Sequence, residues 1–176
     1  PKWKVNATMK NSSFGLQPIR AIEFQQVDGD ISFTKYTDEN GTILDYLPEG
    51  EWLVIVDRYV TGESSEEFRA LLNVSENSAR EGLEWRSLES AEISIHLIES
   101  DSGNDLTGFS LLATNMDGLG EVSLPISDDS GNVSTFLWPG QWSLSLNKTE
   151  SQHRWILDEQ ILDPVSEGES PPSVNF

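Results

Sequence analysis

Two segments of this chain, ninety residues apart, align without a gap. Residues 37–57 (TDENGTILDYLPEGEWLVIVD) lie over residues 127–147 (SDDSGNVSTFLWPGQWSLSLN) at one constant offset. Asp38 meets Asp128, Gly41 meets Gly131, Ile43 meets Val133, Leu47 meets Leu137, Gly50 meets Gly140 and Trp52 meets Trp142. Repetition at a fixed period defines the structural unit, so the 176 residues are expected to form two copies of one small domain. Units of that size have thin cores, and with no cysteine in the chain no disulfide can supplement them.

Alternation of apolar and polar residues predicts strands over 3–9, 19–25, 31–36, 42–47, 51–57 and 66–74, and again over 91–99, 107–114, 120–126, 132–137, 141–147 and 154–161. Gly, Asn, Asp, Ser and Pro clusters separate them. Short strands at regular spacing without a long helix predict an all-β chain of two sandwiches, with domains at 1–76 and 91–163. The polar stretch 77–90 is expected to be a linker, and the Pro-, Ser- and Glu-rich stretch 164–176 an exposed tail. In the second copy Trp142, Leu144 and Leu146 alternate with serines, the pattern of a strand wet on one face. The matching strand of the first copy carries Leu53 and Ile55 between Trp52, Val54 and Val56, so it is expected to be buried on both faces. Leu53 and Ile55 are therefore candidate interface residues, toward the second domain, the loop 61–66 or another molecule.

Thirty acidic residues against eleven basic ones give a formal charge of -19. That field repels phosphate backbones and anionic lipid heads, which disfavours nucleic acid and membrane surfaces as partners. No apolar stretch approaches the roughly 18–20 residues that a membrane span requires. Asn-x-Ser/Thr triplets occur at Asn6, Asn11, Asn40, Asn73, Asn132 and Asn147, a pattern that favours a secreted or cell-surface protein, although a Ser- and Asn-rich sequence also makes such triplets freely.

The segment from Thr37 to Val56 resembles the signature of carboxypeptidase-regulatory-like, or prealbumin-like, domains. Its Asp-x-x-Gly turn is Asp38 and Gly41, its Leu-Pro-x-Gly turn is Leu47, Pro48 and Gly50, and its aromatic residue two positions on is Trp52. The second copy supplies Asp128, Gly131, Leu137, Pro139, Gly140 and Trp142, with Trp138 where the family has Pro. The resemblance implies a tandem pair of Greek-key sandwiches, and their thin cores lead to the expectation that the two domains pack on each other. It also implies a non-catalytic structural, adhesion or interaction role with a protein or polysaccharide partner. Its alternatives are a carbohydrate-binding module serving an extracellular enzyme, or an accessory to a secreted carboxypeptidase.

The residues themselves offer little catalytic machinery. His96 and His153 fall in different parts of the repeat with no nucleophile motif beside them, so no enzyme is expected. Up-and-down strands would bring Asp101 and Asp105 toward Asp128 and Asp129 at one end of the second domain, a candidate calcium site of hard oxygen ligands, and calcium is the only cofactor considered. Trp138, at a turn, is the candidate sugar platform. Lys4 and Asn73 are residue types that form the isopeptide bond of pilin and adhesin domains, but the strand after Gly50 lacks the carboxylate that such a bond requires.

Overall fold

The computed structural model describes residues 1–61, 64–146, 160–162, 165–167 and 174–175, and within them every regular element is a strand. The chain divides into two compact units, Pro1–Glu89 and Ser90–Phe176.

Unit 1 contains β1 (Lys2–Lys10), β2 (Ala21–Gln26), β3 (Ser32–Tyr36), β4 (Thr42–Pro48), β5 (Gly50–Thr61), β6 (Ser64–Val74), β7 (Leu83–Arg86) and β8 (Leu88–Glu89). They form two sheets, ordered β4-β1-β7 and β3-β2-β5-β6-β8. Alternate residues of each sheet meet between them: Val5, Ala7 and Met9 from β1, Ile22 and Phe24 from β2, Trp52, Val54 and Val56 from β5, Phe68 and Leu72 from β6 and Trp85 from β7. Unit 2 contains β9 (Ala91–His96), β10 (Leu111–Asn115), β11 (Glu121–Ser123), β12 (Asn132–Leu137), β13 (Trp142–Leu146), β14 (Gln160–Ile161) and β15 (Val174–Asn175). Its sheets run β12-β9-β15 and β11-β10-β13-β14, around a core of its own that includes Ile93, Ile95, Leu111, Val133, Trp142 and Leu144.

The two motifs that align in sequence have the same local geometry. Asp38 Oδ1 accepts the amides of Asn40 and Thr42 at 2.9 and 2.8 Å, and Asp128 Oδ1 accepts those of Ser130 and Asn132 at 2.9 and 2.8 Å. Gly41 and Gly131 follow at φ 70° and 71°. Trp52 and Trp142 are fully buried, and each indole N–H donates to the carbonyl four residues back, Pro48 O at 3.1 Å and Trp138 O at 2.8 Å.

Three expectations change. The stretch 77–90 is not a linker, because β7 pairs in parallel with β1 and β8 pairs with β6, placing Leu83–Arg86 and Leu88–Glu89 inside unit 1. The stretch 164–176 is not simply a tail, because Val165 is buried and bridged to Gly140 while β15 pairs in parallel with β9. Finally, β5 does not stop at Asp57. It crosses a bulge between Val56 and Tyr59 and continues to Thr61, so residues 64–66 belong to β6 and not to a loop. The expected strand over 154–161 is described only at Gln160–Ile161, and the rest of it, with His153, lies outside the described residues.

A Cβ added at Gly131 would lie 2.5 Å from the Leu97 carbonyl oxygen, and one at Gly41 would lie 3.0 Å from the Gln17 amide nitrogen. Both substitutions also force a left-handed residue. Gly131→Ala is therefore expected to destabilise unit 2 by about 2–4 kcal/mol, and Gly41→Ala to cost unit 1 about 1–2 kcal/mol, measured by urea unfolding.

Candidate functional site at the β1–β2 end of unit 1

The loop joining β1 to β2 is held from below by buried polar groups. Beyond the β5 bulge, Tyr59 lies across the ladder from Glu66, which heads the core face of β6, ahead of Phe68. Glu66 is 2% exposed and accepts three hydrogen bonds: from Ser12 N at 3.0 Å, from Ser12 Oγ at 2.7 Å and from Tyr59 Oη at 3.0 Å. A buried carboxylate needs such satisfaction, and here it ties the loop to the sheet. Tyr59 Oη also lies 2.9 Å from Ser87 Oγ, and the Arg20 guanidinium stacks 3.2 Å from the Tyr59 ring centroid. Burial, more than any other influence, pushes the Tyr59 phenol up to about 12.

A cleft of about 270 Å³ opens beside this network, lined by residues that include Arg20, Glu23, Thr34, Ile55, Arg58 and Tyr59.

Above the network the loop closes on itself. Asn11 N donates to Gly15 O at 2.8 Å, Asn11 Oδ1 accepts Gly15 N at 2.6 Å, and Arg86 Nη1 donates to Ser12 O at 2.9 Å. The far side is clamped by Thr37, whose hydroxyl donates to Gln17 O and accepts Arg20 N, each at 2.7 Å. Ser127 does the same in unit 2, donating to Leu106 O at 2.7 Å and accepting Phe109 N at 2.9 Å.

The two loops are clamped alike, although the turn of unit 2 is one residue longer, and they differ in the residues placed where the backbone turns left-handed. Unit 2 places Gly103 and Gly108 there, at φ 69° and 80°. Unit 1 places Phe14 and Ile19 there, at φ 64° and 52°. A positive φ is strained for any residue with a Cβ, and most of all for a β-branched one. Neither side chain gains core burial, since Phe14 is 67% and Ile19 72% exposed, with Leu16 at 54% between them. The Arg86 guanidinium lies 5.0 Å from the Phe14 ring centroid. The loop thus holds two strained apolar side chains out toward solvent on a braced platform.

The residues nominated from the sequence lie elsewhere. Leu53 and Ile55 are 7% and 6% exposed, on the face of β5 opposite the core cluster, beside Gln25 and Leu71 and beside Glu23 and Arg69 respectively. The same face carries a buried pair in which Arg69 Nε lies 2.5 Å from Glu67 Oε1. Burial raises the Glu67 carboxyl above its ordinary range, against the pull of Arg69.

The four carboxylates nominated for calcium do not form a metal-holding group. Asp105 faces His96 at 2.8 Å, and Asp128 is engaged by the amides of its own turn, which hold its carboxyl below the usual range. Asp129 accepts the Thr107 hydroxyl on its backbone carbonyl at 3.4 Å, while Asp101 is exposed in the β9–β10 loop. Among the described residues no three His, Cys, Asp or Glu side chains form a metal-holding group. Trp138 is half-buried against the second core cluster instead of standing free as a platform. Lys4 Nζ is held by Glu81 at 2.9 Å on the outer face of its sheet, and Asn73 is exposed on the other sheet, so the two are not placed to form an isopeptide bond.

No protein-family model matches the chain, and no curated protein matches it. Among solved structures it is similar to a streptococcal ancillary pilin, at 14% identity and TM-score 0.45, covering 99% of this chain and 62% of that one. It is similar to the Bacillus anthracis TIE protein at 14% identity and TM-score 0.41, covering 99% of this chain and 33% of that one. It is also similar to a minor pilin of Streptococcus agalactiae at 12% identity and TM-score 0.46, covering 98% and 94%. The chain thus spans less than two thirds of the first two proteins.

Two measurements check this site. Replacing Ile19 or Phe14 with Gly relieves strain at the expense of unfolded-chain entropy, so each variant is expected to gain about 1 kcal/mol in urea unfolding. A net loss would show that the side chains serve the fold. In an absorbance titration one tyrosine of the three should ionise near pH 12 and revert to ordinary behaviour on unfolding. Because its folded-state value is raised, the stability due to Tyr59 is complete below pH 10 and lost as pH rises through about 12.

Proposed function

We propose that this chain is a non-catalytic structural and interaction module of a secreted or cell-surface protein, and that it meets a protein partner through the β1–β2 loop of unit 1. One observation carries the reading: Phe14 and Ile19 occupy left-handed positions that unit 2 gives to Gly103 and Gly108, and both are exposed. Strain that brings no burial is retained when the side chain is needed by something outside the fold. Clusters of exposed apolar side chains on a rigid platform are also the usual anatomy of a protein contact.

The chemistry of the remaining polar groups agrees with a role that needs no catalysis. Glu66, Tyr59, Thr37, Asp38 and Asp128 spend their hydrogen-bonding capacity on holding loops and turns. None of them stands free beside a base or nucleophile as a reacting group must.

Photocrosslinking in the producing cell tests the proposal. With benzoylphenylalanine in place of Phe14, the full-length protein is expected to give a discrete crosslinked protein band, and at the matching unit 2 loop, in place of Ser102, none. No band from position 14, or equal bands from both, would overturn the assignment of this loop.

A further inference from the structure

Both units pair their first strand in parallel with a late strand, β1 with β7 in unit 1, where only the two-residue β8 follows and pairs with β6, and β9 with β15 in unit 2. In unit 1, β1 runs beside β7 with Ala7 opposite Leu83, Thr8 opposite Glu84, Met9 opposite Trp85 and Lys10 opposite Arg86. In unit 2, β9 runs beside β15 with Ile95 opposite Val174 and His96 opposite Asn175. A parallel pair has a mechanical consequence that an antiparallel pair lacks. Pulling the start of the first strand away from the end of its parallel partner slides the two past each other, so every bond between them is loaded at once. In an antiparallel pair those two points lie at the same end, and the bonds break in succession.

The seam in unit 1 extends well past its ladder. Asn6 N donates to Arg80 O at 2.9 Å at one end, and Ser87 N donates to Lys10 O at 2.8 Å at the other. Side chains cross the same line: Arg80 stacks 4.8 Å from the Trp3 ring centroid, Lys4 meets Glu81 at 2.9 Å and Lys10 meets Glu84 at 2.7 Å. Exposed ion pairs of this kind add little to equilibrium stability. Here, however, they lie across the direction of sliding, where each must break in the same step as the ladder. Neither strand can leave sideways without cost. Val5, Ala7 and Met9 are fully buried beneath β1, and Trp85 anchors β7 by stacking 5.6 Å from Phe68.

We infer that unit 1 is built to carry tension, which the seam between β1 and residues 80–87 bears in shear when force is applied between the two ends of the unit. The parallel pairing of β9 with β15 gives the first strand of unit 2 a parallel partner as well. The inference extends the structural half of the function proposed above and makes no use of the β1–β2 loop. What the seam receives is a mechanical load, applied at the start of β1 and at the end of β8, whose two-residue pairing with β6 gives way before the load reaches β7.

Single-molecule pulling on the full chain tests this, and the absence of native cysteine lets paired cysteine handles be placed uniquely. Lys2→Cys with Glu89→Cys applies force along the seam, whereas Lys2→Cys with Asn77→Cys pulls the same end of both strands apart. Matching urea midpoints establish that both handle variants keep the fold. At one loading rate, unit 1 is expected to unfold at a several-fold higher force along the seam than in the peeling direction, since forced unfolding reports the unfolding barrier and not equilibrium stability. Equal forces, or a weaker seam direction, would overturn the inference. Loss of the photocrosslink at Phe14 would leave it standing, so the two readings fail separately.

Discussion

The indole of Trp52, with its counterpart Trp142, is the constraint on which each sandwich rests. It is the largest side chain a core can hold, and its N–H cannot be left unpaired in an apolar interior without a cost of about 1–3 kcal/mol. The structure meets that demand within the motif, using the carbonyl four residues back across the turn. The turn can present that carbonyl only with Gly50 and Gly140 at φ 144° and 145°, so core, turn and the register of the following strand are fixed together. Fully burying the ring in turn fixes which face of β5 and β13 looks inward. A cysteine-free domain of fewer than ninety residues gains much from making one residue settle so many choices.

That economy explains what could be read from the sequence. Where an element carries its own alternation and its own turn, the strands were legible: β1, β2, β3, β4, β9 and β12 all begin within two residues of their predicted starts. The ninety-residue alignment held because the Asp turn and the Gly-x-Trp turn tolerate no insertion between them. Elements that depend on a distant partner were not legible. Only four residues long, β7 lies in a polar stretch, with Leu83 and Trp85 the sole inward signal, and its strand character comes from pairing with β1 more than seventy residues earlier. Val174–Asn175 is shorter still and sits among prolines and serines whose composition suggests an exposed chain.

The site was hidden for a different reason. Ungapped, the self-match covers 37–57 over 127–147 at an offset of ninety; one residue is gained before it, so Phe14 and Ile19 correspond to Gly103 and Gly108 at an offset of eighty-nine. At ninety, neither residue meets a glycine. The clamps reveal the true match, since Thr37 and Ser127 each bridge the backbone on either side of the left-handed position. Glu66 was equally obscure because the bulge in β5 is invisible to period-two alternation, and that bulge is what brings Tyr59 opposite it on the core face. By contrast, Leu53 and Ile55 are buried as their uninterrupted apolar run suggested, because continuous hydrophobicity survives any uncertainty about register.

Both the contact loop and the tension-bearing seam use the same residues as supports. Arg86, the last residue of β7, donates to the Ser12 carbonyl inside the loop, and Ser87, immediately after it, bonds both the Lys10 carbonyl and the Tyr59 hydroxyl. Ser12 in turn rests on Glu66. The end of the seam and the floor of the loop are therefore one polar junction. Sliding β1 against β7 by a single residue would break the Lys10–Ser87 and Ser12–Arg86 bonds together and remove the platform beneath Phe14. A partner gripping the loop pulls on residues that the seam already braces. The apolar tip is in this way fastened to the region of unit 1 that is hardest to displace, which is the arrangement a surface contact under tension requires.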